Sequence, residues 1–309
     1  MIDEITGKIT SRLSELKAAD RQKKRNFNFL NINKIGSEKT SCFIDGSNFP
    51  VLKSNDICLE MIRVSAVYYK QNKKIKSEKK EFFVLVTLKD GLYETECFPL
   101  GYSIENFKFN IRDEDLMTGK NDVEISRIGG CIRRITELKI AGESDAEIVV
   151  LDGSLDAKFS HEKKYLDEIY IRKIACGLSK TTDVVDNLDF SELIEQKGEW
   201  ICDIPAKAYM AKTFFVRLNE KSEYIFRIDV AEDKLGLLDE IISVLAANST
   251  DIIFLGYPYA LIEAHKIAKI EKNEKEYFLT KLMLKLGKDW KFFENRIKDS
   301  NAHEKLDKI

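Results

Sequence analysis

Short apolar runs and two different polar periods divide this chain into predicted strands and helices. Cys42-Phe43-Ile44 and Ile148-Val149-Val150-Leu151 are each followed by Asp-Gly-Ser, as Asp45-Gly46-Ser47 and Asp152-Gly153-Ser154. Apolar runs of this length bounded by turn formers predict buried strands. An unpaired carboxylate is too costly to bury, so each strand is expected to end at its acid, on the sheet edge where ligands bind. Ile62, Val64, Ala66 and Tyr68 alternate as in a half-buried strand, and Phe82-Phe83-Val84-Leu85-Val86 predicts another. Between them Lys70, Lys73, Lys74, Lys76, Lys79 and Lys80 suit the solvated tip of a β-hairpin. Residues 213–218 and 224–230 predict a second hairpin turning at 219–222, and residues 251–256 predict a further strand.

Other segments follow the helical period. Ile2, Ile5, Ile9, Leu13 and Leu16 define an amphipathic N-terminal helix, followed by the basic run Arg21-Gln22-Lys23-Lys24-Arg25. Such an arm packs on the body or on a second copy, or docks another protein. Ile125, Ile128, Ile132, Ile135 and Leu138 predict a helix from about residue 124 to 141. Its opposite face carries Arg133 and Glu137, one turn apart. Residues 235–247 predict a third helix, and Pro258 suits the first turn of a fourth, with Leu261, His265 and Ala268 in register. A strand, a long helical excursion and a further strand together predict an α/β fold with a mixed sheet flanked by helices. No Pro-rich or Gly-rich linker divides the chain, so residues 1–37 are expected as a helical arm and 38–309 as one domain. The tail beyond Asn301 is charged and is expected to fray.

Composition narrows the chemistry. With 309 residues and 44% apolar content the chain can bury a sizeable core. No apolar stretch approaches the roughly 20 residues that span a bilayer, and the acidic start Met1-Ile2-Asp3-Glu4 lacks the apolar core of a signal peptide. A cytoplasmic protein without membrane attachment is expected. Six cysteines without a Cys-x-x-Cys pair argue against structural zinc and a disulfide framework. Three histidines exclude a His-rich metal site, so any metal would be held mainly by carboxylates, which favours magnesium or manganese. The net charge of −2 does not imply nucleic-acid binding, which would need a local groove of positive charge.

Asp45 and Asp152 are the candidate metal-bridging acids. Phosphodiester hydrolysis needs an activated water, a sink for extra charge on phosphorus and help for the departing oxygen, all of which divalent ions held by clustered carboxylates supply. Asp-Gly is also a common turn dipeptide, and each motif taken singly fits that use. Periodicity alone makes Glu137 a solvent-exposed residue paired with Arg133. His265 suits a core position, a metal ligand or a proton shuttle. Tyr257, in the loop before that helix, offers a hydroxyl to a phosphate or to the attacking water. Two other classes compete. An actin-like phosphotransferase or ATPase also places acids and Gly turns at strand ends, although no Gly-x-x-x-x-Gly-Lys loop is present. A non-catalytic assembly protein would use the N-terminal helix to dock a motor.

The segment Gly256-Tyr257-Pro258-Tyr259-Ala260-Leu261-Ile262-Glu263-Ala264-His265 resembles the C-terminal motif of the NurA nucleases. The order of the other motifs is similar too: Asp45-Gly46-Ser47, Arg133-x-x-x-Glu137, Leu151-Asp152-Gly153-Ser154-Leu155, Leu178-Ser179-Lys180, and the strands around Arg217 and Arg227. The resemblance implies an RNase H-like fold and a manganese-dependent DNA nuclease, with magnesium as an alternative metal. It further implies 5'-3' exonuclease and endonuclease activity in archaeal double-strand break end resection. A ring-like homodimer working with a HerA-type hexameric ATPase is also implied. Carried over by motif, Asp45, Glu137, Asp152 and His265 would hold the metal, and Tyr257 would complete the catalytic set. Lys180 and Arg227 would contact the DNA phosphates. Glu147 and Glu124 compete with Glu137 for the third carboxylate.

Overall fold

The computed structural model describes residues 2–22, 27–117, 119, 121–179, 191–295 and 297. In chain order these form α1 (Ile2–Gln22), β1 (Phe29–Asn31), β2 (Ser41–Lys53), β3 (Ile57–Lys70), β4 (Lys73–Lys89), β5 (Leu92–Pro99) and β6 (Lys108–Asn110). There follow α2 (Ile125–Glu143), β7 (Ile148–Asp152), α3 (Glu162–Arg172), β8 (Ile174–Ser179) and α4 (Ser191–Glu195). The remainder comprises β9 (Trp200–Ala208), β10 (Ala211–Arg217), β11 (Phe226–Ala231), a 3-10 turn at Glu232–Leu237, α5 (Leu238–Ala247), α6 (Tyr259–Ala268) and α7 (Lys272–Leu286). Backbone contacts separate two compact units. The first comprises Met1–Ser37, Gly153–Asp156 and Cys176–Tyr259, and the second Glu38–Asp152, Ala157–Ala175 and Ala260–Ile309.

In the second unit the strand order is β7-β2-β3-β4-β5-β6. β2 and β7 are parallel, pairing Ser41 with Ile148 through Ile44 with Leu151. The other neighbours are antiparallel. α2 lies against β2 and β3 and is packed on by α3. Its apolar stripe of Ile125, Ile128, Ile132, Ile135 and Leu138 is buried, as the periodicity predicts. In the first unit the order is β1-β9-β10-β11-β8, with all pairs antiparallel. Its core gathers Leu193, Trp200, Cys202, Ile204 and Phe215.

Several expectations change. β2 does not stop at its acid: it runs on through Asp45, Gly46 and Ser47 because β3 pairs with those residues as well. The lysine-rich segment is not a hairpin tip. The turn is only Gln71-Asn72, both at positive φ, as a two-residue hairpin loop demands. Lys74, Lys76, Lys79 and Lys80 lie along β4, where Lys74 pairs with Glu263, Lys76 with Glu78 and Asp145, Lys79 with Glu81, and Lys80 with Glu78. Residues 251–256 form turns rather than a strand. Asp251 Oδ1 accepts the Ile253 N–H at 2.8 Å, a local side-chain bond that competes with strand pairing. Ile252 is consequently 92% exposed. The N-terminal helix forms, but Ile2, Ile5, Ile9 and Leu13 are exposed along it. Of the basic run that follows, Lys23, Lys24 and Arg25 lie outside the described residues, as does the tail beyond Asn301. Among the described residues no helix is long and apolar enough to cross a membrane, and the six cysteines are free.

The sheet of the second unit holds one buried acid away from the paired aspartates. Glu60 on β3 is fully buried, accepting from Asn48 Nδ2 at 3.2 Å and from the Cys58 thiol at 3.4 Å. Gly129 of α2 makes room for it, since a Cβ there would stand 2.5 Å from the Glu60 carboxyl carbon. Burial pushes the Glu60 carboxyl above the usual carboxylate range, and its two donors return only part of the shift. A raised folded pKa means that the folded state holds the proton longer than the unfolded chain, so this group's contribution to stability falls as pH rises. Glu60→Gln is therefore expected to gain stability relative to wild type over a pH interval that opens at the ordinary carboxylate range and extends upward, read from urea midpoints. A difference that shrinks over that interval would mean the carboxylate is better solvated than its burial indicates.

Candidate active site

Parallel pairing of β2 with β7 ends at Ile44 and Leu151, so the next residue on each strand is an aspartate, Asp45 and Asp152. The two carboxylates are close enough to repel. Burial raises the Asp45 carboxyl above its usual range first, and the charge of Asp152 raises it further. Two contacts oppose this: His265 Nδ1 donates to Asp45 Oδ2 at 2.8 Å, and the Gly46 N–H donates to Oδ1 at 2.8 Å. The His265 side chain is 59% exposed, leaving its other ring nitrogen toward solvent.

Side chains alternate along a strand, so Asp45 and Gly46 look to opposite faces. The face of Gly46 is covered by α2, and a Cβ there would stand 2.6 Å from Glu137 Oε1, 3.0 Å from Arg133 Cγ and 3.1 Å from Val64 Cγ2. The missing side chain is the space through which Glu137 approaches the aspartates. Periodicity alone placed Glu137 in solvent; instead it is only 1% exposed. α2 is covered by the sheet as well as by α3, so Arg134, Thr136 and Glu137 are enclosed too. The charge is met by an ion pair with Arg133 and by Arg134 Nη1 at 3.6 Å, and Arg134 also approaches Glu162. Burial is the main cause that raises the Glu137 carboxyl; the two arginines lower it, and Asp45 and Asp152 raise it again.

Neither competing glutamate reaches this position. Glu147 precedes β7, roughly 16 Å from Asp152 at about 3.3 Å per residue, and accepts the Thr40 N–H. Glu124 is exposed and lies 3.7 Å from Lys53 Nζ. Among the described residues no group of three or more His, Cys, Asp or Glu side chains converges tightly enough to hold a metal ion. The arrangement has two neighbouring aspartates, a histidine on one of them, and a glutamate reaching in from the other face beside an arginine.

The remaining expected residues belong to the first unit. Tyr257 is buried, its ring edge-on to Phe254 and tilted against Phe226. Arg227, expected at a phosphate, has a side chain only 5% exposed and is committed to two acids: Nε donates to Asp229 at 2.9 Å and Nη2 to Asp156 at 3.0 Å. Asp229 is fully buried and also accepts from Thr213 Oγ1 and the Leu155 N–H. Lys180 lies outside the described residues.

Sequence reasoning passed over the residues that hold α6 in place. Ser65 Oγ donates to Ala264 O at 2.7 Å, and Arg63 donates to Lys269 O at 2.7 Å while bridging Glu81 and Glu274. Their signal was present: Arg63 and Ser65 are the polar positions between Ile62, Val64 and Ala66 in a strand buried on both faces. The described structure also contains an apolar cavity of about 510 Å³, lined by Leu59, Phe83, Phe98, Phe278 and Leu282 among others. None of its lining residues is acidic, so it offers no carboxylate to a metal ion.

Residues 165–270 match the family model of the NurA domain. No curated protein matches the sequence. Among solved structures the chain is similar to the NurA nuclease from Sulfolobus solfataricus, at 17% identity and a TM-score of 0.55, covering 94% of this chain and 98% of that one. It is also similar to endonuclease V from Ciona intestinalis in complex with inosine-containing DNA, at 13% identity and a TM-score of 0.42, covering 88% and 98%. Endonuclease V from Bacillus subtilis matches at 14% identity and a TM-score of 0.41, covering 83% and 91%. The likeness to the Sulfolobus protein shows the fold, a mixed α/β architecture. Asp45, Glu137 and Asp152 lie outside the segment that the family model matches.

Two substitutions test this geometry. Gly46→Ala should lower stability by about 1–3 kcal/mol in denaturant melts and displace the Glu137 carboxylate, the neighbour nearest the new methyl. An unperturbed Glu137 in a structure of that variant would refute the window described above. Arg227→Ala should cost about 3–5 kcal/mol, because it strands the buried Asp229 charge. A change below about 1 kcal/mol would instead mark Arg227 as free to serve a ligand.

Proposed function

We propose that this chain is a NurA-type DNA nuclease that hydrolyses phosphodiesters with the help of a divalent cation, a reading supported by the match over residues 165–270. The observation that carries this reading is the strand register that sets Asp45 beside Asp152. Like charges placed together in a partly buried site are stable when a cation neutralises them, and carboxylate oxygens are the donors that manganese and magnesium prefer. Asp45 and Asp152 would hold the cation, with Glu137 and His265 as further donors. When bound, the cation supplies Lewis-acid stabilisation of the phosphate and a water of lowered pKa.

The protein's own groups account for the remaining steps. Asp45 accepts from His265 Nδ1, which fixes the ring and leaves the opposite nitrogen for one of two parts: ligating the cation, or exchanging a proton with the attacking water or the leaving oxygen. Ser65 and Arg63 hold the backbone of α6 so that this ring stays on Asp45. Glu137 adds negative charge from the other face through the gap at Gly46, and Arg133 balances it. The resemblance supports the finer assignment: a manganese-dependent enzyme with 5'-3' exonuclease and endonuclease activity in end resection of double-strand breaks. On the same support it acts as a homodimer with a HerA-type ATPase. The resemblance alone supports a catalytic part for Tyr257 and a phosphate contact for Lys180.

The test uses single-stranded and end-labelled duplex DNA with manganese or magnesium. Wild type should cleave, Asp152→Asn should abolish cleavage, and His265→Ala should slow it about a hundredfold. Absence of cleavage with either metal, or an Asp152→Asn protein as active as wild type, would overturn the reading.

A further inference from the structure

Arg133 stands on α2 one turn before Glu137, with its guanidinium paired to that carboxylate. Its Nη1 also lies 3.4 Å from the Gly46 carbonyl oxygen, so the charged head is fixed where β2 passes from Asp45 to Ser47. From that point it attracts all three acids, Glu137 most strongly, then Asp45 and Asp152. Arg134 is placed differently: it is farther from Glu137 and is shared with Glu162.

We propose that Arg133 is the resident counter-ion of the acid cluster and competes with the divalent cation for it, so that cation binding draws Glu137 out of its ion pair. The inference rests on reading Asp45, Asp152 and Glu137 as a cation site and adds the residue that sets its affinity. A guanidinium cannot surrender its charge at any working pH. A divalent ion seeking the same oxygens must therefore overcome both the existing pair and the repulsion between two positive centres a few ångströms apart. The same contact makes Arg133 the group that keeps Glu137 tolerable inside the fold. A residue whose part was to present Glu137 to the metal would act in the opposite sense, and its loss would weaken cation binding.

Calorimetric titration of manganese into the full-length protein without DNA separates the two. Arg133→Gln should bind manganese about fivefold more tightly or better and show a larger manganese-induced rise in melting temperature than wild type. Arg133→Lys, which retains the charge, should stay within about twofold of wild type. Because Arg133→Gln leaves a buried carboxylate less compensated, a second comparison avoids an orphaned charge. Glu137→Gln alone leaves Arg133 facing the aspartates and should bind weakly, whereas Arg133→Gln combined with Glu137→Gln should bind more tightly than that single variant. Equal or weaker binding on removal of Arg133 in both backgrounds overturns the inference and leaves the cation site standing. Absence of manganese binding in every protein, wild type included, overturns the inference together with the cation-site reading.

Discussion

The arrangement of this protein depends on one stretch of parallel pairing, between β2 and β7, which ends with an aspartate next on each strand. Backbone hydrogen bonds across the ladder hold Asp45 and Asp152 side by side against their mutual repulsion. Unopposed, two neighbouring carboxylates in a partly buried setting would take up a proton or force the strands apart. Here His265, the Gly46 N–H and the Arg133 guanidinium oppose that repulsion from different directions. The ladder provides the rigidity, and the three donors make it tolerable.

Gly46 gives this short motif its second use. Its place in the middle of a strand is unfavourable by propensity, since glycine loses more entropy on ordering and packs nothing. Yet any side chain there would meet Glu137, Arg133 and Val64. The open position lets a helix on one face contribute a carboxylate to a cluster whose histidine comes from α6. β3 then holds α6 through Ser65 and Arg63. Four elements of one compact unit thereby supply the site, each positioned by backbone pairing or by a hydrogen bond to a backbone carbonyl.

The first unit has an ion network of its own. Arg227 and Asp229 neutralise each other in its interior, with Asp156 and Thr213 completing the set. Such a network is costly to break and contributes little net stability over an apolar alternative. The family match covers Arg227, Asp229 and Thr213 along with Tyr257 and His265, whereas Asp156 and the three acids fall outside it. The match and the acid cluster are thus separate lines of support for one functional reading.

Local chemistry made much of the fold legible in the sequence. The helical spacing of Ile125 to Leu138, the alternation from Ile62 to Tyr68 and the hairpin through 213–230 all report which side of a short segment is apolar, and burial follows from that. The two Asp-Gly-Ser motifs were likewise visible. Two matters were decided by distant partners, and one by a local side-chain bond that the apolar run concealed. β2 continued past Asp45 because β3 pairs with it, and residues 251–256 remained turns because Asp251 bonds its own backbone. Glu137, which by period alone faces water, was enclosed because α2 is covered on more than one side and a glycine on another strand leaves room for its carboxylate. Periodicity measures one face of one element, whereas burial of a charge depends on whatever the rest of the chain brings against the other face.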